Sequence, residues 1–264
     1  MLKCENITKT FDKGTATEKD ALQAVSLQLA ESDFITVIGG NGAGKSTLLN
    51  AIAGVHHVEH GTVSIDGKDV TMLAEHERAH FIGRVFQDPR MGTAPGMTIE
   101  ENLDISYRRC KRRTLRWGTN RKDRIMFRDA ISTLGLGLED RMTVKVGTLS
   151  GGQRQALTLL MATLQKPRLL LLDEHTAALD PKTAKIVLEL TNKLVLDNKL
   201  TTLMVTHNMR DALASGNRIM MMHEGRIILD VKNEEKANLT VPQLLKMFEQ
   251  ASGEEIANDR MLLA

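Results

Sequence analysis

The chain has 264 residues, 42% of them hydrophobic, enough for one α/β core of ordinary size with a smaller subdomain and too few for two complete large domains. A charged fraction of 26% and a formal net charge of +2 give no support to a polyanion partner on overall charge. The longest apolar stretches, at 169–172 and 219–222, fall far short of the roughly 18 residues that cross a bilayer, so no membrane span is expected.

In chain order, Met1-Leu2-Lys3-Cys4-Glu5 lacks a basic region followed by a long apolar run, and Cys4 and Cys110 fit free thiols in a reducing cytoplasm. Residues 34–38 read as a strand. They lead into Gly39-Gly40-Asn41-Gly42-Ala43-Gly44-Lys45-Ser46-Thr47 and then a helical run at 48–53, the order that a phosphate-binding loop requires. The glycines let successive N–H groups turn inward on a phosphate, and the helix N-terminus adds positive potential. Lys45 is placed to reach the β- and γ-phosphates and Ser46 to ligate Mg²⁺. A plain glycine-rich turn would not need Lys-Ser at the helix start. His56-His57-Val58-Glu59-His60 has metal-ligand residue types, but it precedes Gly61 in a loop and reads as a polar surface turn.

Asp66-Gly67 and Glu224-Gly225 each sit between alternating runs and predict hairpins, both expected in an antiparallel layer away from the parallel core. From about 88 to 166 the pattern is mostly helical. Thr98-Ile99-Glu100-Glu101 is a capping box, and a second helix is expected from about 123 to 134, inside a helical subdomain inserted in the sheet domain.

Residues 169–172, 202–205 and 218–222 read as further strands, the first two nearly continuous in apolar residues, as in a parallel sheet covered on both faces. The first ends in Asp173-Glu174, two carboxylates at the C-terminal end of a buried strand, where ligands bind in open α/β sheets. Asp173 is expected in the Mg²⁺ shell. Glu174 is expected to orient or deprotonate an attacking water. Thr240-Val241-Pro242-Gln243 opens a final helix, and the polar tail after Ser252-Gly253 is expected to fray.

Leu149-Ser150-Gly151-Gly152-Gln153-Arg154-Gln155 resembles the signature sequence of the ATP-binding cassette (ABC) family, and the likeness extends over roughly 2–250. Ser150 and the glycines open a helix whose hydroxyl and N–H groups can grip a γ-phosphate; Ser150-Gly151-Gly152-Gln153 also satisfies a simple capping box. Gln87, in Val85-Phe86-Gln87-Asp88, is similar to the glutamine loop that senses Mg²⁺ and water. His207, in Val205-Thr206-His207-Asn208, is similar to the switch histidine at the γ-phosphate, and Asp180, in Ala178-Leu179-Asp180, to the loop that crosses to the partner subunit. Phe11 stands where the family has an adenine-stacking aromatic, though it reads equally well as core.

The resemblance implies an α/β fold: a phosphate-loop (RecA-like) ATPase core of about 1–87 and 167–235, with an added antiparallel β layer and an inserted helical subdomain of about 88–166. These make one domain over 1–250, followed by a short tail at 251–264. It also implies an ATP hydrolase using ATP and Mg²⁺ in a head-to-tail homodimer, with Ser150 of each copy reaching the other's ATP. The partners implied are an integral membrane permease, met through a groove near Gln87, and through it an extracellular substrate-binding protein. The location implied is the inner face of the cell membrane. Within this reading the basic run at 108–124, nine Lys or Arg against one acid with Tyr107 and Trp117 close by, fits a solvated face or a permease contact ahead of anionic lipid, with nucleic acid last.

One departure stands out. Most members of the family carry Pro after the catalytic Glu, where this chain has His175. The same run is similar to a branch of importer ATPases whose binding proteins resemble those for aromatic amino acids, and import of amino acids or similar small solutes is the function implied. His175 either fills a turn position or shifts the pKa of the adjacent base. The alternative function is a soluble ABC ATPase acting on ribosomes or nucleic acid. Such proteins usually carry two cassettes or a long coiled-coil insertion, and neither is visible here. A subunit without turnover is opposed by the presence of Glu174, His207 and Gln87.

Overall fold

The computed structural model describes residues 1–109 and 118–253. The chain begins with strands β1 (Leu2–Phe11), β2 (Lys19–Leu29) and β3 (Phe34–Gly39), then helix α1 (Lys45–Ala53), strands β4 (His60–Ile65) and β5 (Lys68–Asp69), the short helix α2 (Glu75–Arg78) and strand β6 (Ile82–Val85). Helices α3 (Ile99–Arg108), α4 (Arg121–Ser132) and α5 (Gly151–Thr163) follow. The chain then alternates through β7 (Leu169–Asp173), α6 (Pro181–Asn198), β8 (Thr201–Val205), α7 (Met209–Ala214), β9 (Arg218–His223) and β10 (Arg226–Lys232), and continues into α8 (Asn233–Ala237) and α9 (Val241–Ser252).

The main sheet has the order β10-β9-β3-β8-β7-β6, parallel throughout except at β10. Strands covered on both faces cannot alternate, and the four leucines of β7 are all buried, as is every residue of β3 and β8. The second sheet, β2-β1-β4-β5, is antiparallel and does alternate, with Leu2, Cys4 and Ile7 inward on β1. Asp66-Gly67 makes the expected β4–β5 hairpin in that layer. Glu224-Gly225 also makes a hairpin, β9–β10, but the expectation that it lies in the added layer is corrected: β9 pairs parallel with β3, so the hairpin extends the core sheet. Its inner strand carries Ile219, Met220, Met221 and Met222, all buried, which only a two-sided cover can accommodate. Arg218 ties the two sheets together, with two 2.6 Å bonds to Asp230 on β10 and one of 2.7 Å to the Gln28 carbonyl on β2.

Helices α3 to α5 surround an apolar cluster of their own that includes Ile99, Leu103, Phe127, Ile131 and Leu157. The Thr98 capping box is closed, its hydroxyl accepting from Glu101 N–H at 3.2 Å while Glu101 accepts from Thr98 N–H at 2.7 Å. The second helix starts two residues earlier than expected, at Arg121, because Asn120 rather than a later residue accepts from Asp123 N–H. The basic run at 108–124 falls partly on residues outside those described. Of its described members, Arg108 pairs with Asp104 and Arg124 with Glu100, each at 2.7 Å. The tail beyond 253 and Cys110 also lie outside the described residues. No helix among the described residues is long and apolar enough to cross a membrane.

Because β8 lies between β3 and β7, with Val205 opposite both Val37 and Asp173, three strands end side by side. The phosphate loop, Asp173-Glu174 and Thr206-His207 therefore emerge at one edge of the sheet, the carboxyl edge where α/β folds hold ligands.

Candidate active site

Gly42 and Gly44 have φ of 79° and 98°, and a Cβ on Gly44 would lie 2.4 Å from the Ala21 carbonyl oxygen, so the loop needs glycine there for both torsion and space. Helix α1 starts with no side-chain cap, which leaves its first N–H groups to whatever sits in the loop. At the far end the buried Arg78 side chain donates to the carbonyls of Ala51 and Ile52, at 2.8 Å each, and holds the helix in place. Lys45, 7% exposed, donates to the carbonyls of Gly39 at 2.8 Å and Gly40 at 3.0 Å. An ammonium has three donors, so one remains for a phosphate oxygen. Burial holds the Lys45 pKa below its ordinary value, against the opposing pull of Glu174 and Asp173.

Asp173 is pushed up by burial; Arg84 opposes the rise, Glu174 adds to it and a hydrogen bond from Ser46 opposes it. Arg84 Nη2 lies 3.7 Å from Asp173 Oδ2. Two of the three metal-ligand candidates, Ser46 and Asp173, thus lie close enough to influence one another. Gln87 is exposed at the end of β6, its loop fixed by a 3.0 Å bond from Gln155 Nε2 to the Phe86 carbonyl, and no hydrogen bond among the described residues joins it to Ser46 or Asp173.

Glu174 has φ of 42° and donates its N–H to the Val205 carbonyl at 3.0 Å, which ties the residue across to β8. Its Oε2 lies 3.3 Å from His207 Nδ1. That bond is the main reason the glutamate pKa falls below its ordinary value and the histidine pKa rises above its own. The next residue, His175, is 2% exposed, and burial alone takes its pKa down to about 4. Burial thus disfavours the charged form of this ring, and its Nε2 is hydrogen-bonded to Thr191 on α6 at 2.9 Å.

The cavity above the phosphate loop measures about 290 Å³ and is lined by that loop from Asn41 to Thr47 with Phe11, Lys19, Ala21 and Glu174. Phe11 faces it while packing edge-on against His56, ring centroids 5.2 Å apart. His56 is thus a packing partner, and no group of three His, Cys, Asp or Glu side chains suited to a metal forms among the described residues. Lys19 was missed in the sequence. Its ammonium stands 2.9 Å from where a Gly42 Cβ would be, and a single lysine eight residues after Phe11, at the start of a strand, carries no motif.

Ser150, Gly151, Gly152 and Gln153 do not line this cavity. Ser150 caps α5, accepting from Gln153 N–H at 3.3 Å and donating its own N–H to Gln153 at 3.2 Å, with its hydroxyl on the surface. Gly152 is buried so tightly that a Cβ would lie 2.0 Å from Thr183 Cγ2 on α6. Asp180 caps that helix, accepting from Thr183 N–H at 3.1 Å.

Residues 22–177 match the family model described as ABC transporter. The chain belongs to the ABC transporter family. It is similar to a tyrosine transport ATP-binding protein of Clostridioides difficile (strain R20291), 44% identical over 255 residues that cover 95% of this chain and all of the relative. It is also similar to a phosphonates import ATP-binding protein of Lactococcus lactis subsp. cremoris (strain SK11), 30% identical over 89% of this chain and 94% of the relative. Among solved structures it resembles a dimeric post-hydrolysis ATP-binding cassette bound to ADP and phosphate, with TM-score 0.74 and 30% identity over 88% of this chain and 98% of that one. It also resembles an ABC transporter cassette in its ADP conformation, with TM-score 0.77 and 28% identity over 94% and 98%. This ABC protein is accordingly a transporter ATPase with an α/β phosphate-loop core, and ATP is its substrate.

Proposed function

We propose that this ABC protein is the motor of an importer for amino acids or similar small solutes, peripheral on the cytoplasmic face of the membrane. In this reading two copies close head to tail over ATP. The observation that carries it is the division of the site: Lys45, Asp173 and Glu174-His207 gather at one sheet edge, while the exposed Ser150 lies outside the cavity that Lys45 and Glu174 line with the phosphate loop. A second copy would bring its Ser150, Gly151, Gly152 and Gln153 to the triphosphate, and its Asp180 loop across the junction. Solved relatives described as dimeric cassettes support the pairing.

In the reaction, Lys45 sets its charge at the β- and γ-phosphates and gives the donor left over from the loop carbonyls to a phosphate oxygen, and the N–H groups of the loop and of α1 take the rest of the charge. Phe11 offers its ring to the adenine. Glu174 takes the proton from the attacking water as the water oxygen bonds to the γ-phosphorus and the bond from that phosphorus to the β,γ-bridging oxygen breaks, so that ADP and phosphate leave, and His207 steadies the carboxylate and the departing phosphate. The hydroxyl and carboxylate oxygens of Ser46 and Asp173 are hard donors that fit Mg²⁺, whose charge would offset that of the phosphates. Gln87 would join that sphere, and its loop would couple the site to the permease. The permease segment is assigned to the cavity of about 300 Å³ between core and helical insertion, lined in part by Glu75, Arg84, Phe86, Met91 and Arg109.

Import is favoured by the name of one relative, phosphonates import, and an amino-acid cargo by that of another, tyrosine transport; an extracellular binding protein would act through the permease. Uptake of labelled tyrosine, tryptophan and phenylalanine by cells carrying the native chain or its Glu174→Gln variant tests the reading. Loss of uptake of one of them in the variant is expected; equal uptake of all three would remove aromatic amino acids as cargo.

A further inference from the structure

His175 Nε2 lies 2.9 Å from Thr191 Oγ1, and Thr191 Oγ1 in turn lies 2.8 Å from the Val187 carbonyl oxygen. A carbonyl only accepts, so the single hydroxyl proton of Thr191 is committed to Val187. The proton shared with His175 must then come from the ring. This fixes Nε2 as a protonated ring nitrogen, a donor with a defined orientation.

Thr191 sits sixteen residues further along the chain, in the middle of the 18-residue helix α6, and is itself fully buried beside Val187 and Val195. The bond therefore links the residue after Glu174 to one of the longest rigid elements of the core. Glu174 needs such a link. At φ of 42° it occupies the left-handed region, disfavoured for any residue with a Cβ, and only surrounding contacts can hold it there. On its amino side the N–H to Val205 carbonyl bond supplies one contact. On its carboxyl side Glu174 accepts from Ala177 N–H at 2.9 Å within the turn, and His175 supplies the anchor to α6.

We propose that His175 is a positioning residue for hydrolysis: its Nε2–H to Thr191 bond holds the Glu174 backbone so that the carboxylate stays where water is activated. A proline at this position, the residue usual in the family, stiffens the turn through its ring and has no side-chain bond to offer. Here the same turn is held from outside, by helix α6. The inference rests on Glu174 being the general base.

Phosphate release by the full-length chain, read as kcat and KM for ATP, tests it in Thr191→Val, Thr191→Ser, His175→Ala and the double variant, alongside equilibrium nucleotide titration and thermal melting. Thr191→Val removes the acceptor with little change of shape, and is expected to lower kcat about 10- to 100-fold with KM and nucleotide affinity within twofold, since small misplacements of a catalytic group have costs of this size. Thr191→Ser restores kcat. Adding His175→Ala to Thr191→Val lowers it no further, because both changes break one bond. Unchanged kcat in Thr191→Val, failure of serine to rescue, or a loss that follows nucleotide affinity would overturn the proposal. Glu174→Gln in the same assay separates the two layers. If it turns over like the native chain, the general base is misassigned and the positioning role falls with it. If it is slow while Thr191→Val is not, only the positioning role falls.

Discussion

Oε2 of Glu174 and Nδ1 of His207, at the ends of two adjacent parallel strands, share one hydrogen bond of 3.3 Å. The candidate base and the candidate γ-phosphate sensor thus form a single unit, and what perturbs one is felt by the other. Replacing Glu174 by Gln keeps the shape and removes the base. ATP binding is expected to persist while hydrolysis slows by about 10² to 10⁴, the range for losing a general base. Turnover within tenfold of the native chain would take Glu174 out of that role.

The same pair predicts a pH profile for stability. The His207 pKa is raised above its ordinary 6.5, so its contribution is complete below that value and is lost as pH rises through the raised pKa. Glu174 is lowered below its ordinary 4.5, so its contribution is complete above that value and is lost as pH falls through the lowered pKa. Lys45 and Asp211 also face His207, the first lowering and the second raising its pKa, and neither reverses the net direction. The pair is therefore fully formed between about pH 4.5 and 6.5. Melting temperatures from pH 6 to 8 are expected to fall more steeply for the native chain than for His207→Ala. Parallel profiles would show that the pair contributes nothing to stability.

Lys45→Ala loses two bonds to the loop carbonyls as well as the charge offered to phosphate. Nucleotide affinity in calorimetric titration is expected to fall about 10- to 100-fold, the size of a lost charge-assisted bond. An unchanged dissociation constant would contradict the placement of Lys45 at the phosphates.

At Gly152 the first turn of α5 passes so close to α6 that a methyl group meets Thr183 Cγ2. Gly152→Ala is expected to destabilise the chain by about 1–3 kcal/mol in chemical denaturation, as overpacking does. Adding Thr183→Ser, which removes that methyl, should recover most of the loss. A stable Gly152→Ala, or no recovery, would mean that the helices separate freely at this point.

Much of this arrangement was legible in the sequence, because the phosphate loop and the Asp173-Glu174 strand end are each set by local chemistry: glycine torsions, a helix start and a run of buried leucines. The antiparallel layer was legible only at Asp66-Gly67. Strands β1 and β2 carry register shifts and polar outer faces that blur the period of two, and the Glu224-Gly225 hairpin looks the same locally whichever sheet it joins. Lys19 and Thr191 could not be found from spacing at all. One meets the phosphate loop from a different sheet, and the other meets His175 from sixteen residues away, so only tertiary packing reveals them.

The proposal that two copies make one site is tested most directly by sedimentation of the Glu174→Gln chain with and without Mg·ATP. A monomer that becomes a dimer on adding Mg·ATP, and that stays monomeric when Ser150→Arg is added, is the predicted result. A chain that binds Mg·ATP yet remains monomeric, or that pairs equally well with Ser150→Arg, would contradict it.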